Sequence, residues 1–205
     1  KDKSDGNFAV TGTVNAMASV DIGSGDVDIY VGGYFNYVGT SDDMDDAQNL
    51  AVLRGGDGGV WEGLDVLSPV SSLASYNGFV FISYAVCADN TGESLPIAVY
   101  DPHEDNLSQF AIAPANQGPG DACVNSLVAQ DDILFIGGNF IVSLPGSPST
   151  TVYGAIAYDL VTQTWTTLNV PSTIAAPQGA GEYDINTFSL LEENGDRCVL
   201  LGGYF

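Results

Sequence analysis

The sequence predicts an all-β fold, and repeats within it predict a β-propeller. Hydrophobic residues form 45% of the 205 residues, which is enough to build a sizeable core. Val, Thr, Tyr and Phe recur in short clusters bounded by Gly, Asp, Asn and Ser, while Lys and Arg together number 4. Clusters of this kind favour strands joined by tight turns over helices.

An apolar run that ends in Gly-Gly-x-Phe is the strongest repeat. Copies begin at Ile29, Leu134 and Val199, and a weaker copy at Val80 has lost the glycine pair. A second phrase that resembles Val-Asn-x-Leu precedes each copy, and its starts at residues 14, 70, 124 and 185 lie 56, 54 and 61 residues apart. Propeller repeats have periods of roughly 40–50 residues, whereas parallel β-helix coils are far shorter.

Two further phrases complete each period. The third begins at Leu50, Ile97 and Ile156, and the fourth covers 60–64, 109–112 and 164–168. Four strand-sized phrases are the content of one four-stranded antiparallel blade. We therefore expect residues 1–205 to form a single propeller segment of about four blades within a larger propeller. The expected blades are approximately 14–69, 70–123, 124–184 and a truncated 185–205. Phe8–Thr13 is expected to be the outer strand of a preceding blade.

The residue types within the phrases suit a blade. A glycine pair after three large apolar residues permits a close backbone approach or a bulge that a side chain would block. The Phe that follows is expected to pack between blades. Trp61 and Trp165 occupy corresponding positions in the fourth phrase, where a large aromatic side chain can cover the gap between adjacent sheets.

In their order along the chain, these phrases resemble the repeats of kelch and galactose-oxidase-like propellers, and in particular those of fungal cortical polarity marker proteins. The resemblance covers nearly the whole chain. This sequence departs from the family pattern in the second repeat, which lacks the glycine pair, and in the acidic insertion at 41–46. It implies a large surface protein whose anchor lies outside this segment.

The charge balance restricts the classes of partner. Asp and Glu number 26 against 4 Lys and Arg, which gives a formal net charge of −22. Nucleic-acid binding depends on basic side chains, so we expect neither nucleic acid nor an anionic membrane surface as a partner. The acidity is explained by solubility, by a basic partner or by divalent cations.

Targeting features are few in this sequence. Apolar stretches all fall short of the roughly 18 residues of a membrane span, so we expect no membrane insertion by this segment. The chain opens at Lys1 and not at Met, which is typical of a mature or excised segment.

Three cysteines, Cys87, Cys123 and Cys198, lack the C-x-x-C spacing of zinc or redox sites. Cys87 and Cys123 flank strand-like runs in neighbouring repeats and are the expected disulfide pair. Cys198 is then unpaired, or its partner lies outside the segment. Three buried free thiols are the alternative.

Calcium is the metal that the sequence supports best, although no cofactor is required. Asp21, Asp26 and Asp28 surround a glycine-bearing turn, and calcium accepts oxygen ligands on a flexible loop. An ordinary hairpin turn explains the same residues. Asp42, Asp43, Asp45 and Asp46 form a second acidic run, which is expected to be a solvated loop.

The sequence offers few candidate catalytic residues. The single histidine, His103, lies in a turn, and the copper site of the galactose-oxidase branch requires more than one His. The sequence contains no phosphate-binding loop, dinucleotide fingerprint, nucleophile elbow or H-E-x-x-H motif. We therefore predict no catalytic residues.

A glycosylation sequon, Asn-Leu-Ser, begins at Asn106. Such a site is typical of a surface loop in a secreted protein.

The sequence thus predicts an extracellular or cell-surface structural or binding module that is not an enzyme. Protein or glycan partners are expected at the loops at the blade ends, or copies associate with each other. Two alternatives stay open. One is a fragment of a galactose-oxidase-like or carbohydrate-active enzyme with its catalytic residues elsewhere, and the other is a subunit of an extracellular filament.

Overall fold

The structure of the chain is a computed structural model. The model describes residues 8–23, 25–40, 43–56, 59–87, 94–110, 114, 121–144, 150–168, 184–193 and 196–204. These residues form strands and turns, and none of them belongs to a helix able to cross a membrane. The strands make four antiparallel sheets that follow one another along the chain.

The first sheet consists of β1 (Phe8–Asp21), β2 (Val27–Thr40), β3 (Asp43–Asp46), β4 (Leu50–Arg54) and β5 (Val60–Gly63). Its strand order is β1-β2-β4-β5, and β3 pairs with the far end of β2. Each strand is antiparallel to its neighbour.

The later sheets repeat this order. The second sheet consists of β6 (Val70–Tyr76), β7 (Phe79–Tyr84), β8 (Ile97–Asp101) and β9 (Asn106–Gln109). The third consists of β10 (Cys123–Gln130), β11 (Ile133–Leu144), β12 (Thr150–Asp159) and β13 (Thr164–Thr167), and the fourth of β14 (Asp184–Glu193) and β15 (Asp196–Tyr204).

The four sheets are arranged as the blades of a β-propeller. The first strands of successive sheets contact each other, β1 with β6, β6 with β10, and β10 with β14. Each sheet therefore has a trailing face, turned towards the preceding sheet, and a leading face, turned towards the next. The all-β propeller fold predicted from the sequence is confirmed, with four-stranded antiparallel sheets as its unit.

The hydrophobic core lies in the joints between sheets. In the first joint, Tyr30 and Val52 on the leading face of the first sheet pack with Leu73, Ile82 and Tyr100 on the trailing face of the second. The other joints repeat the arrangement. In the second, Phe81 and Phe110 meet Leu127, Ile136 and Tyr158, and in the third, Phe135 meets Ile185 and Phe188. Side chains alternate between the two faces along each strand, so the second and third sheets each contribute to two joints.

The glycine pair fits a bulge that recurs in every sheet. The first strand of each sheet is bulged at the same point, between 14 and 16, 70 and 72, 124 and 126, and 185 and 187. A Cβ at Gly33 would overlap the carbonyl oxygen of Thr13, and one at Gly138 would overlap that of Cys123. The predicted close backbone approach is therefore confirmed.

Polar side chains at the bulge join each sheet to the next. Asn15 donates a hydrogen bond from Nδ2 to the carbonyl oxygen of Val70 (2.8 Å), and Ser71 donates from Oγ to that of Val124 (2.8 Å). At the next residue of the phrase, the hydrogen bonds run in the opposite direction, with the donor on the later sheet and the acceptor on the earlier one. Ser72 Oγ accepts from Leu127 N (3.0 Å), and Ser126 Oγ accepts from Phe188 N (3.3 Å). The Val-Asn-x-Leu phrase thus forms a clamp between blades.

The outer tryptophans occupy corresponding positions, and Trp165 covers a gap between sheets as predicted, whereas Trp61 does not. Trp61 pairs with Leu53 across the edge of the first sheet, and Trp165 pairs with Tyr158 at the corresponding place in the third. Trp165 covers the second joint, with its ring centroid 6.3 Å from that of Phe110. Trp61 packs on its own sheet, and its buried indole nitrogen has no hydrogen-bond partner among the described residues.

Three local expectations were wrong. Phe8–Thr13 is the start of β1, because it pairs with the extended end of β2 and not with a preceding blade. Asp43–Asp46 is a short edge strand paired with β2 and not a loop. The outer strand of the second sheet lies at 106–109 and not at 109–112, because a tight turn lets Asn106 pair with Asp101.

The Phe that follows the glycine pair has a different environment in the first and third sheets. Phe140 lies in the second joint, as predicted, whereas Phe35 packs with Val31, Val38 and Ala51 of its own sheet. Phe35 and Phe140 nevertheless lie on the trailing face of their respective sheets, so their positions are equivalent.

Candidate interaction surface

Hairpin turns from the first three sheets gather at one end of the blades, called here the turn end. In an antiparallel blade, the connections between strands one and two and between strands three and four lie at the same end. The turn end contains residues 22–23, 25–26, 77–78, 102–105, 131–132 and 160–163. Asn77, Gly78, Asp131 and Asp132 have positive φ, as two-residue hairpin turns require.

A polar groove of about 600 Å³ opens at the turn end between the first two sheets. The turn of β1 and β2 forms one wall, and the turn of β6 and β7 forms the other. The lining includes Ser19, Asp21, Gly23, Ser75, Tyr76, Asn77, Gly78 and His103. Ser75 donates a hydrogen bond from Oγ to the carbonyl oxygen of Ser19 (2.8 Å), which holds the two walls together at the base.

Carboxylates build the turns at this groove: Asp21 lines it, and Asp101 and Asp132 contact the lining residues His103 and Tyr76. Asp21 Oδ1 accepts a hydrogen bond from Gly23 N (2.8 Å), and Asp101 Oδ1 accepts one from His103 N (2.9 Å). Asp132 Oδ1 accepts from the hydroxyl of Tyr76 (2.5 Å), across the second joint. The turn end is therefore negatively charged and has a fixed shape.

Asp159 repeats this arrangement on the third sheet. Its Oδ1 accepts hydrogen bonds from Thr162 N (2.7 Å) and Val161 N (2.9 Å). The hydrogen bond from Thr162 N is the largest cause that lowers the pKa of the Asp159 carboxyl below its ordinary value, and the bond from Val161 N acts in the same direction. Asp159 consequently stays ionised and adds to the negative charge of the turn end.

The structure does not bring the three predicted calcium ligands together. Asp28 is 1% exposed, and its Oδ2 pairs with Arg54 Nη1 at 2.8 Å while its Oδ1 accepts a hydrogen bond from Gly55 N. Asp21 and Asp26 belong to the turn itself, where Asp26 N donates to the carbonyl oxygen of Gly23. Within the described part of the chain, no three His, Cys, Asp or Glu side chains form a group that could hold a metal ion.

Arg54 organises a partly buried polar network beside this turn. It also pairs with Glu62 (2.8 Å) and lies 3.4 Å from the hydroxyl of Tyr30. Burial raises the pKa of Tyr30 to about 12. The network fixes the end of the first joint, and sequence reasoning missed it because nothing in the repeat marks Arg54.

The disulfide lies at the opposite end of the blades. Cys87 and Cys123 are bonded, with their Cα atoms 4.3 Å apart, and the bond joins the segment after β7 to the start of β10. The pair predicted from the sequence is therefore formed in the structure. Cys198 lies in β15, and its side chain falls outside the described residues.

A second groove, of about 450 Å³, adjoins the disulfide. Its lining includes Tyr84, Val86, Cys87, Pro96, Leu107 and Gln109. Asn106, the predicted glycosylation site, is exposed at the first residue of the edge strand β9. That position is accessible to a modifying enzyme.

The structure assigns a role to four polar residues that sequence reasoning left without one: Asn15, Ser71, Ser72 and Ser126 join neighbouring sheets by hydrogen bonds. Their recurrence in the Val-Asn-x-Leu phrase was visible, but a polar residue on a strand is usually a solvated one. The signal that would have identified them is a small polar residue, Asn or Ser, directly after the first apolar residue of each phrase.

Comparison with known proteins gives likeness at the level of solved structures only. No protein-family model matches the chain, and no curated protein sequence matches it. Similar structures include the WD40 domain of Pan2 from Neurospora crassa, with 16% identity over 75% of this chain and 39% of that chain, and a TM-score of 0.43. Another is Sqt1 from Saccharomyces cerevisiae, with 15% identity over 93% of this chain and 43% of that chain, and a TM-score of 0.48. The chain spans about two fifths of the length of each.

Proposed function

We propose that this chain is a non-catalytic binding module of a kelch-like propeller, and that it binds a cationic segment of a protein partner in the turn-end groove. One observation carries the proposal: Asp21, whose carboxylate is held by its turn, lines the polar groove between two blades, and Asp101 holds the turn of His103, which lines the groove as well. Fixed carboxylates attract Lys and Arg side chains without a cost of ordering, since their geometry is already set.

The electrostatics of the whole chain favour the same class of partner. A formal net charge of −22 raises the local concentration of cations and accelerates the encounter with a basic segment. Arg54 is the one Lys or Arg whose side chain the structure describes, and it is already paired with Asp28 and Glu62. It therefore does not neutralise the groove.

A titration with a hexalysine peptide tests this proposal. Wild-type protein is expected to bind the peptide, and the affinity should fall as salt rises from about 50 to 150 mM because exposed charges are screened. Asp21→Asn should weaken binding at least threefold. Asp45→Asn, which removes one exposed carboxylate from β3 at the other end of the first sheet, is the matched control and should leave binding unchanged.

Equal losses in the two variants would show that the peptide senses only net charge, and would contradict a site in the groove. Binding of a neutral oligosaccharide such as chitotetraose, lost in Tyr76→Ala, would replace the cationic partner by a glycan. Tyr76 lines the groove and is the aromatic surface that a sugar ring would use.

We further propose that the module works outside the cell or at its surface. The Cys87–Cys123 disulfide supports this location, since disulfides persist in oxidising compartments. An exposed Asn106 within Asn-Leu-Ser supports it as well. Secretion from a eukaryotic host should give a mass that an endoglycosidase lowers and that Ser108→Ala lowers equally. A secreted protein with the bare polypeptide mass would contradict glycosylation at Asn106.

A further inference from the structure

We propose that the groove beside the Cys87–Cys123 disulfide binds an aromatic side chain carried by an uncharged segment of a partner protein. The groove lies at the second sheet, whose repeat lacks the glycine pair, and its volume is about 450 Å³. Ligand sites commonly have volumes of roughly 300–1,000 Å³, so the space can hold an aromatic ring together with the chain that carries it. This inference does not rest on the turn-end groove.

Val86 is the first reason for an aromatic ligand. Counted along the second strand from the start of the apolar run, Val86 occupies the place of Phe35 and Phe140. Phe35 and Phe140 are each 2% exposed, whereas Val86 is 52% exposed and lines the groove. A ring that is buried in the first and third sheets is therefore replaced in the second by a smaller and exposed side chain.

Leu107 repeats this replacement on the outer strand. Strand pairing places Leu107 of β9 where the first and third sheets have Trp61 and Trp165. Leu107 is 39% exposed, and it lines the groove together with Val86. The second sheet thus lacks both large aromatic side chains of the repeat, and the two residues that replace them face one opening.

The first sheet shows how an aromatic ring is held at this position. Phe35 belongs to one apolar cluster with Ala51, against which Trp61 packs. Ala98, which corresponds to Ala51 by strand pairing, lines the groove in the second sheet. The groove therefore keeps part of the surface on which Phe35 rests. An aromatic side chain from a partner would restore a contact that the first sheet makes internally.

Tyr84 adds an aromatic surface to the groove. It occupies the place of the second glycine of the pair, where a Cβ at Gly33 or Gly138 would overlap a backbone carbonyl oxygen. In the second sheet, Tyr84 is half-buried and lines the groove. Aromatic rings associate favourably with their centroids about 4.5–7 Å apart, so Tyr84 favours an aromatic ligand over an aliphatic one.

The walls of the groove are held in place by the fold. The Cys87–Cys123 disulfide fixes one wall. Just before it, Ala85 N donates a hydrogen bond to the carbonyl oxygen of Pro69 (2.7 Å), which ties this wall to the connection from the first sheet. Because the opening is already formed, binding requires little ordering of the chain. The second sheet already has a neighbouring sheet on each side, so a further blade is not the missing occupant.

Charge complementarity favours an uncharged ligand. The described residues that line the groove include no Asp, Glu, Lys, Arg or His, although the chain has 26 acidic residues. A charged ligand group would lose hydration there without meeting an opposite charge. The polar groups of the groove are hydroxyls and an amide, which can hydrogen-bond the main chain of a peptide. They belong to Ser68, Ser94, Ser108 and Gln109.

The position of the groove favours a peptide over a free aromatic compound. Leu107, Ser108 and Gln109 line the groove and belong to β9, the edge strand of the second sheet. An edge strand presents backbone groups with which an extended peptide can pair. A partner segment can therefore lie along β9 while its aromatic side chain enters the groove.

Titration of the purified 205-residue chain with the neutral peptide acetyl-Ser-Gly-Phe-Gly-Ser-amide, followed by NMR, tests the inference. Wild-type protein should bind this peptide at least about tenfold more tightly than the same peptide with Ala in place of Phe, because burial of the ring supplies the difference. The affinity should not change between about 50 and 150 mM salt, since the groove and the peptide are uncharged. Absence of binding at about 5 mM peptide, or equally tight binding of a Leu or Lys peptide, would overturn the inference.

Restoring the aromatic side chains of the repeat should block the site. Val86→Phe and Leu107→Trp should each weaken binding of the Phe peptide at least about tenfold, because a ring of the chain itself then occupies the groove. Val161→Phe, which adds the same ring at a side chain 65% exposed at the turn end, is the matched control and should bind as the wild type does. Equal binding by Val86→Phe and Val161→Phe would contradict the site.

Two further measurements separate this site from misfolding and from the turn-end groove. Val86→Phe should unfold at the same urea concentration as the wild type or at a higher one, because the ring enters an existing space. A lower midpoint would contradict a groove that fits a ring. Asp21→Asn should bind the Phe peptide as the wild type does, whatever its effect on hexalysine. Loss of Phe-peptide binding in Asp21→Asn would place the peptide in the turn-end groove and overturn this inference.

Discussion

Phe188 of the fourth sheet occupies the space that a side chain at Gly137 of the third sheet would need. A Cβ built on Gly137 would lie 3.0 Å from Phe188 Cδ2 and closer still to Cε2, and Phe188 is 6% exposed. The same relationship links Gly32 to Val70 and Leu73 in the first joint. The glycine pair therefore has two duties: its second member fits the bulge of its own sheet, and its first receives the next sheet.

Adding a methyl group to the first joint is expected to destabilise the protein. In Gly32→Ala, the new Cβ would meet Val70 Cγ1 at 2.5 Å, so the sheets must separate or the side chains must leave their rotamers. Overpacking of this kind costs about 1–3 kcal/mol of unfolding free energy, measured by urea denaturation. Gly56→Ala is the control, because its Cβ would meet no atom closer than 3.7 Å. Equal stability of the two variants would contradict the packing of the joint.

Loss of the disulfide should lower stability by about 4 kcal/mol, because the bond closes a loop with a sequence separation of 36 residues. The change is Cys87→Ser combined with Cys123→Ser, compared with the oxidised wild type by urea denaturation. Reductant should destabilise the wild type to a similar extent and leave the double variant unchanged. Reductant that destabilised both proteins equally would contradict a role for this bond.

Arg54→Met should be strongly destabilising, since Asp28 is 1% exposed and would lose its charged partner. An unpaired buried carboxylate costs about 3 kcal/mol or more. Glu62→Gln provides the comparison, because the Glu62 side chain is 47% exposed and its pair with Arg54 should contribute less than about 1 kcal/mol. Thermal and urea unfolding measure the loss of stability in the two variants. A larger loss in Glu62→Gln than in Arg54→Met would contradict the role given to the Arg54–Asp28 pair.

Alkaline pH should weaken the first joint through Tyr30. Its pKa is raised by burial to about 12, above the ordinary value of 10.0, so the neutral hydroxyl is the form that the folded state favours. That stabilisation is fully present below pH 10 and is lost as pH rises from 10 towards 12. Unfolding free energies at pH 9, 10 and 11 should therefore fall less steeply in Tyr30→Phe than in the wild type. Parallel curves would mean that Tyr30 titrates normally.

The fold was predictable because the sequence pattern of one blade is repeated several times along the chain. Three copies of the Gly-Gly-x-Phe phrase fix the second strand of a blade, and the spacing of the other phrases leaves room for four strands. The cysteine pairing was predictable for the same reason, since Cys87 and Cys123 flank neighbouring repeats.

Contacts that arise once could not be predicted in this way. Asp28 belongs to an acidic turn in the sequence, and only the fold brings Arg54, 26 residues later, to its carboxylate. Asp43–Asp46 looks like a solvated loop, but the unusually long β2 gives it an edge with which to pair. The clamp residues were visible as a repeat, and their partners became clear only when the sheets were placed side by side.

A double-mutant cycle on Gly137 and Phe188 tests the repeated joint most directly. Phe188→Ala alone should cost about 3–5 kcal/mol, and Gly137→Ala alone should cost about 1–3 kcal/mol. In the double variant, the new methyl group enters the space that the ring has left, so the loss should be at least about 1 kcal/mol smaller than the sum of the two single losses. Strict additivity would show that the two residues do not meet, and would contradict the blade-to-blade joint on which this description of the protein depends.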